Sequence, residues 1–136
     1  MLLATLGVPF DPEASAFAVD ASVEAGAPLI VANVVELPPL PMSVRMGYDQ
    51  LDDEAEMAEA LRFPAALAQS LGVSVERLRV RSPRPVLALL ELAAERRPGI
   101  LVFGPDRTRL RRHRYRRAVK AVRERAGCLV WLPGDQ

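Results

Sequence analysis

Short runs of consecutive apolar residues alternate along this chain with longer segments whose apolar positions recur every three to four residues. MLLATLG opens as a short apolar strand. Asp11-Pro12-Glu13 then reads as a helix start: Asp11 can cap the free amides, Pro12 suits the first helical position, and Glu13 favours the positive end of the helix. That helix carries Phe17, Ala18, Ala21 and Ala25 and stops at Gly26. PLIVANVVEL is a nearly continuous apolar run, as in a strand covered on both faces. LPPLPMSVRMGYDQ follows, a connection whose Pro38, Pro39 and Pro41 exclude regular structure.

DDEAEMAEALRFPAALAQSLG predicts a second helix, with acids at its start, Gly72 at its end, and a kink or split at Pro64 after Arg62 or Phe63. VSVERLRVR is a more polar strand, expected near a sheet edge. Ser82 is placed to cap a third helix, SPRPVLALLELAAERR, which Pro98-Gly99 ends. ILVFG is another apolar strand, a basic segment follows, and CLVWL supplies a last strand. The order βαβ, loop, αβαβαβ predicts an α/β fold with an open, mostly parallel five-stranded sheet and helices on both faces. In such a sheet the ligand crevice lies beyond the carboxyl ends of the strands. The positions to watch are therefore Leu6-Gly7, Val34 to Pro38, and Gly104 to Arg107.

Composition adds little to this picture. Residues 1–136 make one domain of ordinary globular balance, with a core to bury. No apolar run approaches the roughly 18–20 residues of a membrane span, and MLLATLGVPFDPE lacks a charged leader, so no secretory signal is expected. The single Cys128 fits a reducing cytoplasm and, inside CLVWL, reads as a small core residue.

Charge changes the picture more. Residues 1–60 hold eleven acids and one base, whereas residues 61–136 hold six acids and seventeen bases. The extreme is RTRLRRHRYRRAVKAVRER, residues 107–125, with nine arginines, one lysine and Glu124 as its one acid. Seventeen arginines against one lysine also point to compositional bias across the chain. At helical spacing Tyr115, Ala118, Val119, Val122 and Ala126 form an apolar stripe that should dock on the sheet. Arg112, Arg116, Lys120 and Arg123 then line a wet face. Such a cluster supplies weak, salt-sensitive affinity for nucleic acid, but with Tyr115 turned inward no specific nucleic-acid recognition is expected.

The ATLG turn before a capped helix, the VANVVEL strand, and LVFGPDR leading to a final helix and CLVWL together resemble a universal stress protein domain over essentially the whole chain. The resemblance implies a Rossmann-like five-stranded fold, a stress-response setting and a homodimer, often formed through the last strand. In this chain that strand offers Leu129, Val130, Trp131 and Leu132. One branch of the family binds ATP, through an aspartate after the first strand and a Gly-x2-Gly-x9-Gly-Ser/Thr pattern after the fourth.

This chain departs from that branch at the positions that carry the chemistry. Leu6 stands where the aspartate would accept hydrogen bonds. Gly104 fills the first glycine position, Arg107 the second, Arg117 the third, and Ala118 the hydroxyl position. Glycines let amides approach phosphate oxygens, and two arginines cannot reproduce that cradle. The expectation is a degenerate, non-catalytic cleft around Leu6, Gly7, Val34, Gly104, Arg107 and Arg117, without ATP as a cofactor, in a homodimer that acts through protein or small-anion binding. Its arginines either hold a small anion bidentately or fill the pocket by pairing with carboxylates such as Asp106. An adenine-nucleotide binder with divergent contacts is the alternative, and a basic nucleic-acid module a more distant one.

Nothing else in the chain points to chemistry. His113, the one histidine, stands among arginines with no Cys/His/Asp cluster at ligand spacing. There is no nucleophile elbow and no P-loop. The acids of LDDEAEMAEA read as a solvated first helical turn, and Met42, Met46 and Tyr48 as a loop that covers either the crevice or the core.

Overall fold

The computed structural model describes residues 1–37 and 61–134. The proline-rich connection with Met42, Met46 and Tyr48, and the acidic start of the second helix, lie outside them. Five parallel strands form one sheet: β1 (Leu2–Thr5), β2 (Leu29–Glu36), β3 (Val75–Ser82), β4 (Ile100–Phe103) and β5 (Leu129–Trp131). Their order is β3-β2-β1-β4-β5, so β1 is central and strand order reverses between β1 and β4. Helices α1 (Pro12–Ala25), α2 (helical over 61–70), α3 (Pro85–Arg96) and α4 (Arg112–Arg125) connect them. This is the predicted α/β Rossmann-like architecture, with β3 at an edge as its polar sequence implied.

Alternation along the strands sends side chains to two separate cores. On one face Leu2, Ala4, Leu6, Ala32, Val34, Leu101 and Phe103 pack with α3 and α4. On the other, Leu3, Leu29, Val31 and Val102 pack with α1 and α2. Fully apolar strand sequences follow from having helices on both sides.

The first helix begins and ends as its residues dictate. Asp11 accepts from the amides of Glu13 and Ala14, at 2.8 and 3.2 Å, Pro12 is the first helical residue, and Gly26 closes the helix at φ 62°. The third helix departs from expectation. Ser82 is the last residue of β3, and its hydroxyl accepts from the amide of Arg84 at 3.0 Å in a local turn. The residue at the cap of α3 is Arg84, whose side chain caps nothing, and Arg97 ends the helix at φ 48° before Pro98. A serine three residues before a helix stabilises the turn into it without reaching the helical amides. Pro64 does not split α2, which is helical without a break over 61–70.

Trp131, near the end of β5, packs across the sheet edge. Its ring does not fold onto the last helix but stacks on Phe17 of α1, with centroids 4.1 Å apart and planes 4° apart. The stripe on α4 behaves as read: Tyr115, Ala118 and Val122 are buried, and Val119 and Ala126 pack beside them.

Candidate functional site

The crevice is built from the turn after β1. Thr5, fully buried, donates its hydroxyl to the carbonyl of Val8 at 2.9 Å, folding the chain back at the strand end. Gly7 sits at φ +72°, a left-handed conformation that L side chains rarely adopt. Its amide donates to the Oδ1 of Asn33 in β2 at 2.9 Å. Asn33 is only 2 % exposed, and a buried amide needs such a partner. Thr5 and Asn33 were both missed as site residues by the sequence reading. A lone polar residue in the run LIVANVVE was the available signal for Asn33.

The segment after β4 is tied to this turn at the point where strand order reverses. The amide of Gly104 donates to the carbonyl of Ala4, and that of Asp11 to the carbonyl of Gly104, each at 2.9 Å. Phe10 and Pro105 form an antiparallel bridge, and the amide of Asp106 donates to Pro9 at 2.8 Å. One Asp106 carboxylate oxygen accepts from both the amide and the hydroxyl of Thr108, at 3.0 and 2.6 Å. The amide of Arg109 donates to the carbonyl of Asp106. The amides of residues 104, 106, 108 and 109 are thus satisfied within the protein. A phosphate cradle needs such amides free.

The open part of the crevice lies to one side, over the ends of β1 and β2. It is a cavity of about 550 Å³ walled by Leu6, Gly7, Val8, Val35 and Glu36 and, from before and within α4, by Arg109, Leu110, Arg111 and Arg114. Glu36 pairs with Arg114 at 3.2 Å. The lining residues therefore include three arginines and one glutamate, of which Arg114 and Glu36 pair with each other. Beside it α4 starts without a side-chain cap and without an acid in its first turn.

The six positions singled out in the sequence divide accordingly. Leu6 and Gly7 reach the cavity wall. Val34 is fully buried in the core beneath. Gly104 is pressed against α1, where a Cβ would overlap that of Ala14. Arg107 stacks its guanidinium over the Tyr115 ring, 4.6 Å from the centroid, a cation–π contact. Arg117 is exposed on α4. The arginines that meet in the cavity are Arg109, Arg111 and Arg114. Motif counting could not single them out, because position along a loop does not fix the direction of a side chain.

Cys128 and Tyr115 are among the groups whose protonation is shifted. Burial pushes the Cys128 thiol up, against opposing effects of the Leu101 backbone and the chain's amino group. A thiol so shifted is less of a thiolate and a poorer nucleophile, in keeping with a packing residue. Burial also pushes the Tyr115 phenol up, with the charge of Arg107 pulling the other way. Among the described residues no three His, Cys, Asp or Glu side chains are grouped to hold a metal ion, and no helix is long and apolar enough to cross a membrane.

Residues 1–132 match the family model of the universal stress protein family. The chain belongs to that family. Solved universal stress proteins share its fold at low identity. One from Burkholderia pseudomallei is 16 % identical and covers 98 % of this chain and 96 % of its own, with a TM-score of 0.65. One from Archaeoglobus fulgidus, in complex with dAMP, is 21 % identical over 97 % and 96 % of the two chains, with a TM-score of 0.66. One from Arabidopsis thaliana, with AMP bound, is 16 % identical over 97 % and 90 %, with a TM-score of 0.60. No curated protein sequence matches the chain.

Proposed function

We propose that this universal stress protein is a non-catalytic homodimer whose crevice captures a small anion in place of ATP. The observation that carries the reading is the substitution of one kind of donor by another. The backbone amides of residues 104, 106, 108 and 109 are spent on protein carbonyls and a carboxylate. Arginine side chains converge instead on the cavity over β1 and β2. Guanidinium forks suit phosphate or carboxylate groups, and a helix start without an acid adds to the positive potential there. Leu6 presents a hydrocarbon surface where an acceptor for a nucleotide would be needed.

Titration calorimetry with phosphate, AMP, dAMP and ATP plus magnesium tests this. Phosphate and AMP are expected to bind the wild type with similar affinity, and Arg109→Ala/Arg111→Ala to weaken both by at least tenfold. No heat from any anion, or no effect of the substitutions, would overturn the reading. A second reading, adenine-nucleotide binding through divergent contacts, draws on the size of the cavity, which falls within the range of small-molecule sites. It also draws on relatives solved with dAMP and AMP. AMP bound much more tightly than phosphate would establish it.

For the dimer, support comes from β5. It is an edge strand whose Leu129 is 72 % exposed, and apolar edge strands are commonly paired or covered. Two copies of Leu129 to Leu132 running antiparallel across a two-fold would close that edge. Trp131, stacked on Phe17, would then brace the strand from below. Light scattering should give twice the 14.9 kDa chain mass for the wild type and the monomer mass for Leu129→Glu. A wild-type monomer at micromolar concentration would remove this part of the reading.

A further inference from the structure

We propose that the solvent face of α4 docks on the phosphate backbone of duplex nucleic acid without regard to base sequence. This surface adjoins the crevice, whose wall takes Arg111 and Arg114 from the start of the same helix, but its exposed residues Arg112, Arg116, Arg117 and Lys120 do not line the crevice. The helix carries Arg112, Arg114, Arg116, Arg117, Lys120, Arg123 and Arg125 against Glu124 alone. Its apolar stripe is spent on the sheet. Arg112, Arg116, Arg117 and Lys120 are consequently exposed.

These charges are placed against the interests of the helix itself. Arg112 and Arg114 crowd its first turn, next to Arg111 at the cap, where the dipole is already positive and an acid would be favourable. Arg112, Arg116 and Lys120 then follow one another at four-residue intervals, the spacing at which like charges repel along a helix. An arrangement that weakens an isolated helix is relieved by an external row of negative charge. From Arg112 to Lys120 the axis advances roughly 12 Å, a length over which duplex DNA presents about seven phosphate charges.

The exposed face also selects among polyanions. It holds no large apolar residue to enter a membrane interface, which surface-lying helices require. The phenol ring of α4, Tyr115, is buried under Arg107, which leaves the small imidazole of exposed His113 as the ring α4 offers, short of the successive aromatic platforms on which single strands are held. What remains is a rigid array of backbone-binding cations, most of them guanidiniums suited to phosphate.

Fluorescence anisotropy of the full chain with a labelled 20-base-pair duplex, titrated at 50–200 mM salt, tests the proposal. Binding is expected at 50 mM salt, equal for unrelated sequences, with log K falling linearly with log salt. Arg116→Glu/Lys120→Glu should lower that slope by about 1.8, at 0.9 for each lost phosphate contact, while Arg77→Glu/Arg84→Glu, an equal change of net charge, should leave it unchanged. Arg116→Gln/Lys120→Gln, which keeps good helix formers, should reproduce the loss if the charge-reversed protein fails to fold by circular dichroism. The proposal is overturned by no binding at 50 mM salt, by equal loss in both double variants, or by an unchanged slope in the α4 variants. Tighter binding to a dT 20-mer, or to vesicles of phosphatidylserine and phosphatidylcholine, would overturn it as well.

Discussion

Gly104→Ala should destabilise the protein by about 1–3 kcal/mol or more, the range for forcing extra atoms into a packed site. The added methyl would overlap the Cβ of Ala14, and it would also approach the Cδ1 of Leu3 at 3.5 Å. The clash is with Ala14, which cannot give way easily, and the ordinary contact with Leu3 leaves the methyl no room to move the other way. Ala14 belongs to α1, whose start is fixed by the Asp11 cap and by the bond from the Asp11 amide to the Gly104 carbonyl. Leu3 is fully buried in the central strand. Relief would require α1 to move off β4, breaking the bridge between Phe10 and Pro105. Urea denaturation checks the prediction, and Ala14→Gly supplies its internal control. In the double variant the clash disappears, and only the roughly 0.5–1 kcal/mol cost of a helical glycine should remain. A Gly104→Ala protein as stable as the wild type would show that α1 does not need its close approach to the sheet. Gly104 therefore acts in packing, with its amide and carbonyl both bonded within the protein.

That reassignment shows which parts of the molecule were legible in the sequence. Features set by near neighbours were readable. Asp11-Pro12-Glu13 and Gly26 bound α1 because capping depends on residues within a turn of one another. Apolar runs gave the strands because burial on both faces leaves no room for polarity, and the polar VERLRVRS gave an edge. The inward turn of Tyr115 followed from helical spacing alone. Features set by distant neighbours were not readable. The demand for a glycine at 104 arises from Ala14, ninety positions earlier in the chain. The role of Asn33 depends on the amide of Gly7, one strand away. Arg107 and Arg117 occupied the motif positions, yet one stacks on Tyr115 and the other stands exposed. The arginines in the cavity come from 109, 111 and 114, selected by how the turn of residues 104–109 folds. A capping residue misleads when the helix begins beyond its reach, as with Ser82, whose hydroxyl bonds the amide of Arg84 ahead of α3.

Tyr115→Ala carries the largest expected effect, about 3–5 kcal/mol, the cost of truncating a buried aromatic ring. Tyr115 is 8 % exposed, and it lies between the Phe103 ring, 6.0 Å away by centroids, and the Arg107 guanidinium above. It thus pins the first turn of α4 to the end of β4 and holds the preceding loop down. Removing it should free Arg107 and loosen the segment that delivers Arg109, Arg111 and Arg114 to the cavity, so anion binding and thermal stability should fall together. Tyr115→Phe separates the ring from its hydroxyl. The ring contacts survive, and stability near neutral pH should change by less than about 1 kcal/mol, as for a volume-conserving swap. The two proteins should differ at alkaline pH. Burial raises the pKa of the phenol in the folded state, so the unfolded chain ionises first as pH rises. The contribution of Tyr115 is complete below its unfolded value of about 10 and is lost as pH climbs through the folded value. Phenylalanine does not titrate, so the gap between wild type and Tyr115→Phe should move in favour of the variant above about pH 10. Thermal melts at pH 7 and pH 10.5 test this directly. A Tyr115→Ala protein that melts with the wild type would mean that α4 is held to the sheet by Ala118 and Val122 alone, and that the placement of its arginines does not depend on the ring beneath them.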